Sequence, residues 1–128
     1  EDKELGSKKN PVNFIKRQFL DSPLSSKIIQ IYGDSATLSW SSLGGPFDLV
    51  FIDGDHSSKY VVCDTKNALS VLDKGGTIIW HDYEMKPVSS ILDKAYEKGE
   101  PIFWIEGTRL AICCFQDPVK SLNNFSLT

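Results

Sequence analysis

The sequence predicts an α/β domain: a mostly parallel sheet with helices on both faces and an antiparallel hairpin at its carboxyl end. Three observations predict it. Two near-continuous apolar runs, FDLVFI at 47–52 and TIIW at 77–80, are separated by one amphipathic stretch of helical length, as in parallel strands buried on both sides. A third β-rich run, IIQIYG at 28–33, precedes them and stops at the turn signal Gly33-Asp34-Ser35. The last two apolar runs, IFWIE and RLAICCF, are separated by Gly107-Thr108, a hairpin signal.

Residues 1–10, EDKELGSKKN, are charged and aperiodic and read as a flexible end. Behind Asn10 as cap, Pro11 suits a first helical turn, and Phe14, Ile15, Phe19 and Leu20 recur at helical spacing until Asp21-Ser22-Pro23 breaks the run. The strand at 28–33 follows. Residues 36–46 hold Trp40 and the Ser/Gly-rich SSLGGP, a loop with one helical turn at its start. After the strand at 47–53, Ser57 or Ser58 caps a helix whose apolar face is Tyr60, Val61, Ala68, Leu69, Val71 and Leu72, with Asp64 as the exception on that face. Lys74-Gly75-Gly76 ends this helix, a strand at 76–81 follows, and a helix from Val88 to Lys98 places Val88, Ile91, Leu92, Ala95 and Tyr96 on one side before Gly99 stops it. Residues 11–116 are one partial domain, and 117–128 a polar tail. Val50, Ile52, Ile78, Ile79, Ala111 and Ile112 are the expected buried strand positions.

The chemistry gathers at two strand tips. In an open parallel sheet, ligands bind beyond the carboxyl ends of the strands. The first tip reads Asp53-Gly54-Asp55-His56 and the second His81-Asp82-Tyr83. Adjacent strands lie ~4.8 Å apart, so Asp53, His56, His81 and Asp82 can face one pocket if the two strands pair. Asp53 can also serve as a turn or capping residue, and His56 as a solvated helix-start residue. His81 and Asp82 are neighbours on a strand and point to opposite faces, so one of them enters the pocket unless the chain bends. Asp82 is the better candidate, with His81 a second ligand or a buried hydrogen-bonding residue. Trp40, Tyr83 and Trp104 suit either a pocket wall or the core.

Composition narrows the partners. Of 128 residues, 41% are hydrophobic and 24% charged, enough for one domain with a modest core, and the formal charge of -3 argues against nucleic acid and anionic membrane despite Lys8, Lys9, Lys16 and Arg17. No apolar run reaches the ~20 residues of a membrane span and no signal-peptide pattern opens the chain, which points to a cytoplasmic protein. Cys63, Cys113 and Cys114 are odd in number and read as small apolar residues rather than a disulfide framework.

FDLVFIDGDHSSKY followed by LSVLDKGGTIIWHDY resembles the acceptor-site stretch of class I S-adenosylmethionine-dependent methyltransferases, the Rossmann-like fold whose last strand is reversed in a hairpin. Catechol-type, caffeoyl-coenzyme A-type and macrolide sugar O-methyltransferases are the most similar kinds. The resemblance implies that Asp53 and Asp82 bind a divalent metal, with His81 as a further ligand, and that His56 is the general base. It also implies that Gly33, Asp34 and Ser35 lie against the adenine of S-adenosylmethionine, with Asp53 completing the cofactor site. A set of two carboxylates and an imidazole suits Mg²⁺ or Mn²⁺ better than Zn²⁺.

Tyr83 departs from the catechol type, which has an amide there, and His81 from the sugar type, which has a carboxylate. The family's glycine-rich first loop and the acidic end of its second strand have no counterpart, so the resemblance covers residues 12–115 and only the later part of the family domain. The chain also begins at Glu1 without methionine, which fits a fragment of something longer. The expected function is methyl transfer to an oxygen of a small-molecule or sugar acceptor by a partial domain. The rivals are a non-catalytic remnant that works by association and a metal-dependent hydrolase. A sheet without its first strands exposes an edge, which favours self-association into a homo-oligomer or a shift of the 28–33 strand to the side of 47–53.

Overall fold

A computed structural model describes residues 21–128 and divides the chain into two units, Glu1–Asp34 and Ser35–Thr128. In the first unit the described part holds one 3₁₀ turn, Ser25–Lys27. The segment 28–33 forms no strand, contrary to expectation, and Ile28, Ile29, Ile31 and Tyr32 are exposed. A β-rich composition favours an extended chain, but a strand exists only where a ladder satisfies its backbone. The helix expected over 11–20 lies outside the described residues.

The second unit is built on a four-stranded sheet: β1 (Phe47–Ile52), β2 (Leu72–Trp80), β3 (Phe103–Trp104) and β4 (Ala111–Phe115), in the order β1-β2-β4-β3. β1 and β2 are parallel and adjacent, as the shared-pocket expectation requires, with Val50 opposite Ile78 and Ile52 opposite Trp80. β2 and β3 each run antiparallel to β4, so the carboxyl-terminal hairpin forms the far edge. Among the described residues β1 has no second strand partner.

Helix α1 (Ser58–Val71) connects the parallel pair; Ser57 is its N-cap, its side chain accepting from the Tyr60 amide. Capping by a serine oxygen satisfies one of the amides that a helix start leaves open. The chain enters β2 at Leu72, earlier than expected, and the strand is irregular until Thr77, with Gly75 at φ 81. Helix α2 (Lys86–Glu97) carries Pro87 in its first turn, where a missing amide costs nothing, and ends before Gly99 at φ 110. In the hairpin Ile105 donates to the Leu110 carbonyl and Thr108 to that of Ile105, around Gly107 at φ 83. This is a turn that requires positive φ at its third residue, which glycine adopts without a steric penalty.

One buried cluster joins Val61, Ala68 and Leu69 of α1, Val88, Ile91, Leu92 and Ala95 of α2, and Ile78, Trp80, Ala111, Cys113 and Phe115 of the sheet. Both long helices therefore cover the same sheet face. On the other face Leu49 and Phe51 are exposed and Thr77, Ile79 and Ile112 half-buried, so Ile52, Ile78 and Ala111 meet the burial expectation while Val50, Ile79 and Ile112 do so only partly. No element of the Ser35–Thr128 unit covers that second face. Residues 117–128 close the core from its end: a short helix α3 (Pro118–Ser121) and a 3₁₀ turn (Leu122–Asn124) deliver Phe125, fully buried, against Trp80 and Phe115. No helix among the described residues is long and apolar enough to cross a membrane.

Candidate functional site

The pairing of β1 with β2 brings the two polar tips together. The His81 amide donates to the Ile52 carbonyl at 3.0 Å, extending the parallel ladder one residue past β2, so Asp53 and His81 leave the sheet side by side. The next residue breaks the extended path. Asp82 has φ 60, the only positive φ outside glycine among the described residues. Asp tolerates this left-handed region better than most residues, and the Met85 amide fixes the bend by donating to the Asp82 carbonyl at 2.9 Å. The bend removes the alternation that was expected to exclude one of the two side chains, and both His81 and Asp82 face the same site.

Asp82 is the hub. Its Oδ2 lies 2.6 Å from His56 Nε2, and its Oδ1 lies 3.0 Å from His81 Nδ1 and 3.6 Å from an Arg109 guanidinium nitrogen. The Asp82 side chain is 10% exposed and that of His56 42%, so the carboxylate forms the floor and the imidazole the rim. Contact with His81, and then with His56, holds the Asp82 carboxyl below its ordinary value of 3.8 against the opposing effect of burial. Reciprocally, the Asp82 contact, with the charges of Asp82 and Asp53 adding, raises His81 above the ordinary 6.5, while Arg109 opposes it.

His81 Nδ1 is closed to solvent and makes no aligned hydrogen bond, although it stands 3.0 Å from Asp82 Oδ1 and 3.5 Å from Asp53 Oδ1. A buried ring nitrogen near two carboxylates, without an aligned hydrogen bond, is a group that could serve as a cation ligand. The ligating atoms of Asp53, His81 and Asp82 lie within 4.8 Å of one another, a span that one hard cation can bridge. The Phe51 ring meets the His81 imidazole edge-on, with ring centroids 6.2 Å apart.

The first tip is shaped by local hydrogen bonds. Asp55 Oδ1 accepts from the Ser57 amide at 2.8 Å, a turn that leads into the α1 cap and lowers the Asp55 carboxyl through its bonds to Ser57. A Cβ at Gly54 would stand 3.2 Å from Asp64 Oδ2, so the loop passes tightly over a carboxylate that is itself 4% exposed. Ser35 is held against α1 about one turn beyond Asp64, its carbonyl accepting from Trp40 Nε1 at 2.9 Å and Asn67 Nδ2 at 3.3 Å. Trp40 is thus half-buried against the core, whereas Tyr83 and Trp104 line a surface cleft. Gly33 and Asp34 belong to the first unit.

Two contributors were not among the sequence candidates. Arg109 leaves the hairpin to pair with Glu84 at 2.8 Å and to approach Asp82, and its carbonyl accepts from the Tyr83 amide at 3.0 Å. Its signal is a lone cation heading an apolar strand. Asp64 carried a signal too, as a carboxylate on the apolar face of α1.

No curated protein and no solved structure matches the chain. A family model described as a methyltransferase domain matches residues 8–83, which is more than half of the sequence and includes β1, α1, β2 and both polar tips. With the parallel β1–β2 pair, the helix between them and the reversed terminal hairpin added to that match, the chain belongs to the methyltransferase-domain family of Rossmann-like, class I type.

Proposed function

We propose that this domain serves S-adenosylmethionine-dependent methyl transfer to an oxygen of a small molecule or sugar, with His56 as general base. The observation that carries the reading is the 2.6 Å contact between His56 Nε2 and Asp82 Oδ2 at the carboxyl end of the parallel strands. With Nε2–H donated to the carboxylate, the lone pair lies on Nδ1, which is the atom that accepts the acceptor hydroxyl's proton. Asp82 fixes the tautomer and stabilises the imidazolium that results.

S-adenosylmethionine supplies an electrophilic methyl on a sulfonium, so the protein's task is alignment and proton removal. The carboxylates at the mouth suit such a cation: Asp82 and Glu84 share one guanidinium, that of Arg109, and Asp53 adds a further negative charge beside His81. Asp53, His81 and Asp82 would hold a divalent ion, Mg²⁺ or Mn²⁺, which supplies Lewis-acid polarisation of the acceptor hydroxyl. Arg109 sits closer to Glu84, at 2.8 Å, than to Asp82 Oδ1, at 3.6 Å, so an ion at Oδ1 would compete with the weaker of its two contacts. The same triad of ligands also suits metal-activated water, and metal-dependent hydrolysis is the second reading.

The test compares His56→Ala and Asp53→Asn in the complete protein. His56→Ala should lower methyl transfer by ~10²- to 10⁴-fold, the span for a lost general base, with Mn²⁺ affinity unchanged. Asp53→Asn should weaken Mn²⁺ binding. Full activity in both variants and in chelator would reject the base and the metal together, and hydrolysis of phosphate esters with Mn²⁺ but without S-adenosylmethionine would favour the hydrolase.

A further inference from the structure

A cleft of about 340 Å³ lies beside the site, between the terminal hairpin and α2. Its walls are the rings of Tyr83, Tyr96, Phe103 and Trp104, and its floor is the buried pair Leu92 and Ile102. Tyr96, Phe103 and Trp104 are 62%, 66% and 54% exposed. Large rings left open in one place are the kind of surface that marks a binding site rather than ordinary scattered exposure. No ring contact joins any two of the four, so their faces are not consumed by one another.

The one ionised group lining the cleft is Asp93, whose Oδ1 accepts from the Tyr83 hydroxyl at 2.6 Å. Among the described residues Asp93 has no ion-pair partner. The neighbouring cations of α2 are engaged with the tail: Lys94 Nζ donates to the Leu127 carbonyl and Lys98 Nζ to Ser126 Oγ, each at 3.5 Å. The cleft is therefore negative by its one carboxylate and by the faces of its rings. An anion is repelled, and a neutral apolar guest leaves the carboxylate without a use.

We propose that this aromatic cleft binds an organic ammonium group, an alkylated amine that sets its charge against Asp93 and its alkyl groups against Trp104, Phe103 and Tyr96. Ring faces attract such cations through the aromatic quadrupole, and the attraction strengthens as the cation loses water. The volume is at the lower end of that for small-molecule sites, which fits a choline-sized head group with part of its chain. Tyr83 directly follows Asp82, so the cleft abuts the strand-tip site, but the inference does not depend on methyl transfer.

The test is direct binding to the whole chain without cofactor. Choline is titrated against tryptophan fluorescence, with 3,3-dimethylbutan-1-ol as its neutral isostere and Trp104→Leu to assign the signal. Choline should bind saturably, and the alcohol, Asp93→Asn and Trp104→Leu should each weaken binding by roughly 3- to 30-fold, the range for a cation–aromatic contact. Asp93 and Trp104 are exposed, so the variants should keep the wild-type melting profile and their losses report the cleft. Equal binding of choline and the alcohol, an unaffected Asp93→Asn, or no saturable signal would overturn the proposal.

Discussion

Replacing Phe125 by alanine tests whether the carboxyl-terminal segment is part of the core. The ring is fully buried, stacks on Trp80 at 6.1 Å with planes 29° apart, and meets Phe115 edge-on at 6.1 Å. Trp80 and Phe115 are themselves in edge contact at 6.4 Å, so the three rings form one closed cluster. Phe→Ala in a core costs ~3–5 kcal/mol through lost transfer energy and the cavity left behind, and aromatic pairs of this geometry contribute ~0.5–1.5 kcal/mol each within that sum. The lower end of that range, ~3 kcal/mol, is the expectation, since neighbouring side chains collapse partly into the space a lost ring leaves. That is a large share of the ~5–15 kcal/mol by which domains are stable, and a loss of roughly 12 °C or more in Tm for a domain of under 100 residues. Urea unfolding followed by tryptophan fluorescence should show a lowered midpoint at unchanged slope. A loss below ~1 kcal/mol would mean that the ring is not a core element, and the closure of the domain by its tail would have to be abandoned.

His81 gives two pH dependences of opposite sign. Its pKa is raised above 6.5 by Asp82 and Asp53, and a ligating imidazole must be neutral, so Mn²⁺ affinity should rise as pH climbs through the His81 value and then level off. Calorimetric titration across that window checks it, and a flat profile would remove His81 from the ligand set. In the metal-free protein the same raised pKa stabilises the fold fully below the unfolded-state value, and this contribution should fade as pH rises through the folded-state value; a His81→Gln variant should lack that slope in its melting curve. Cys113 is buried and its pKa pushed up to about 12, by burial first and then by Glu100 and Cys114, whereas Cys114 is exposed. Iodoacetamide at mildly alkaline pH should therefore alkylate Cys114 in the folded protein and reach Cys113 only in urea, as mass spectrometry of the peptides would show.

Much of the Ser35–Thr128 unit was legible because its signals are local. Ser57 before a periodic apolar face, Gly99 after one, and Gly107 between two β-rich runs each state a boundary in one residue. The 28–33 run shows the limit of that kind of reading. Ile28, Ile29 and Ile31 carry strand propensity, but pairing depends on a neighbour elsewhere in the chain, and propensity does not report it. Phe125 fails for the opposite reason: a single aromatic in a polar segment has no periodicity to announce it, and its burial comes from the pocket that Trp80 and Phe115 leave. At the site, alternation along β2 separates His81 from Asp82 only while the strand stays regular, and the sequence leaves open whether the chain bends there. The left-handed backbone of Asp82 ends that alternation, and only the tolerance of Asp for that conformation hinted at the bend.

That bend decides what the two tips can do together. With a regular strand, His81 and Asp82 would lie on opposite faces, and His56 would face either an imidazole or a carboxylate but not a carboxylate already oriented by an imidazole. At φ 60 the two oxygens of Asp82 are divided, Oδ2 toward His56 and Oδ1 toward His81 and Arg109. His56 and the residues that could hold a cation, Asp53 and His81, then meet around one carboxylate. The fold supplies the parallel pair, the pair supplies the adjacency, and one backbone angle brings His56, His81 and Arg109 to a single carboxylate.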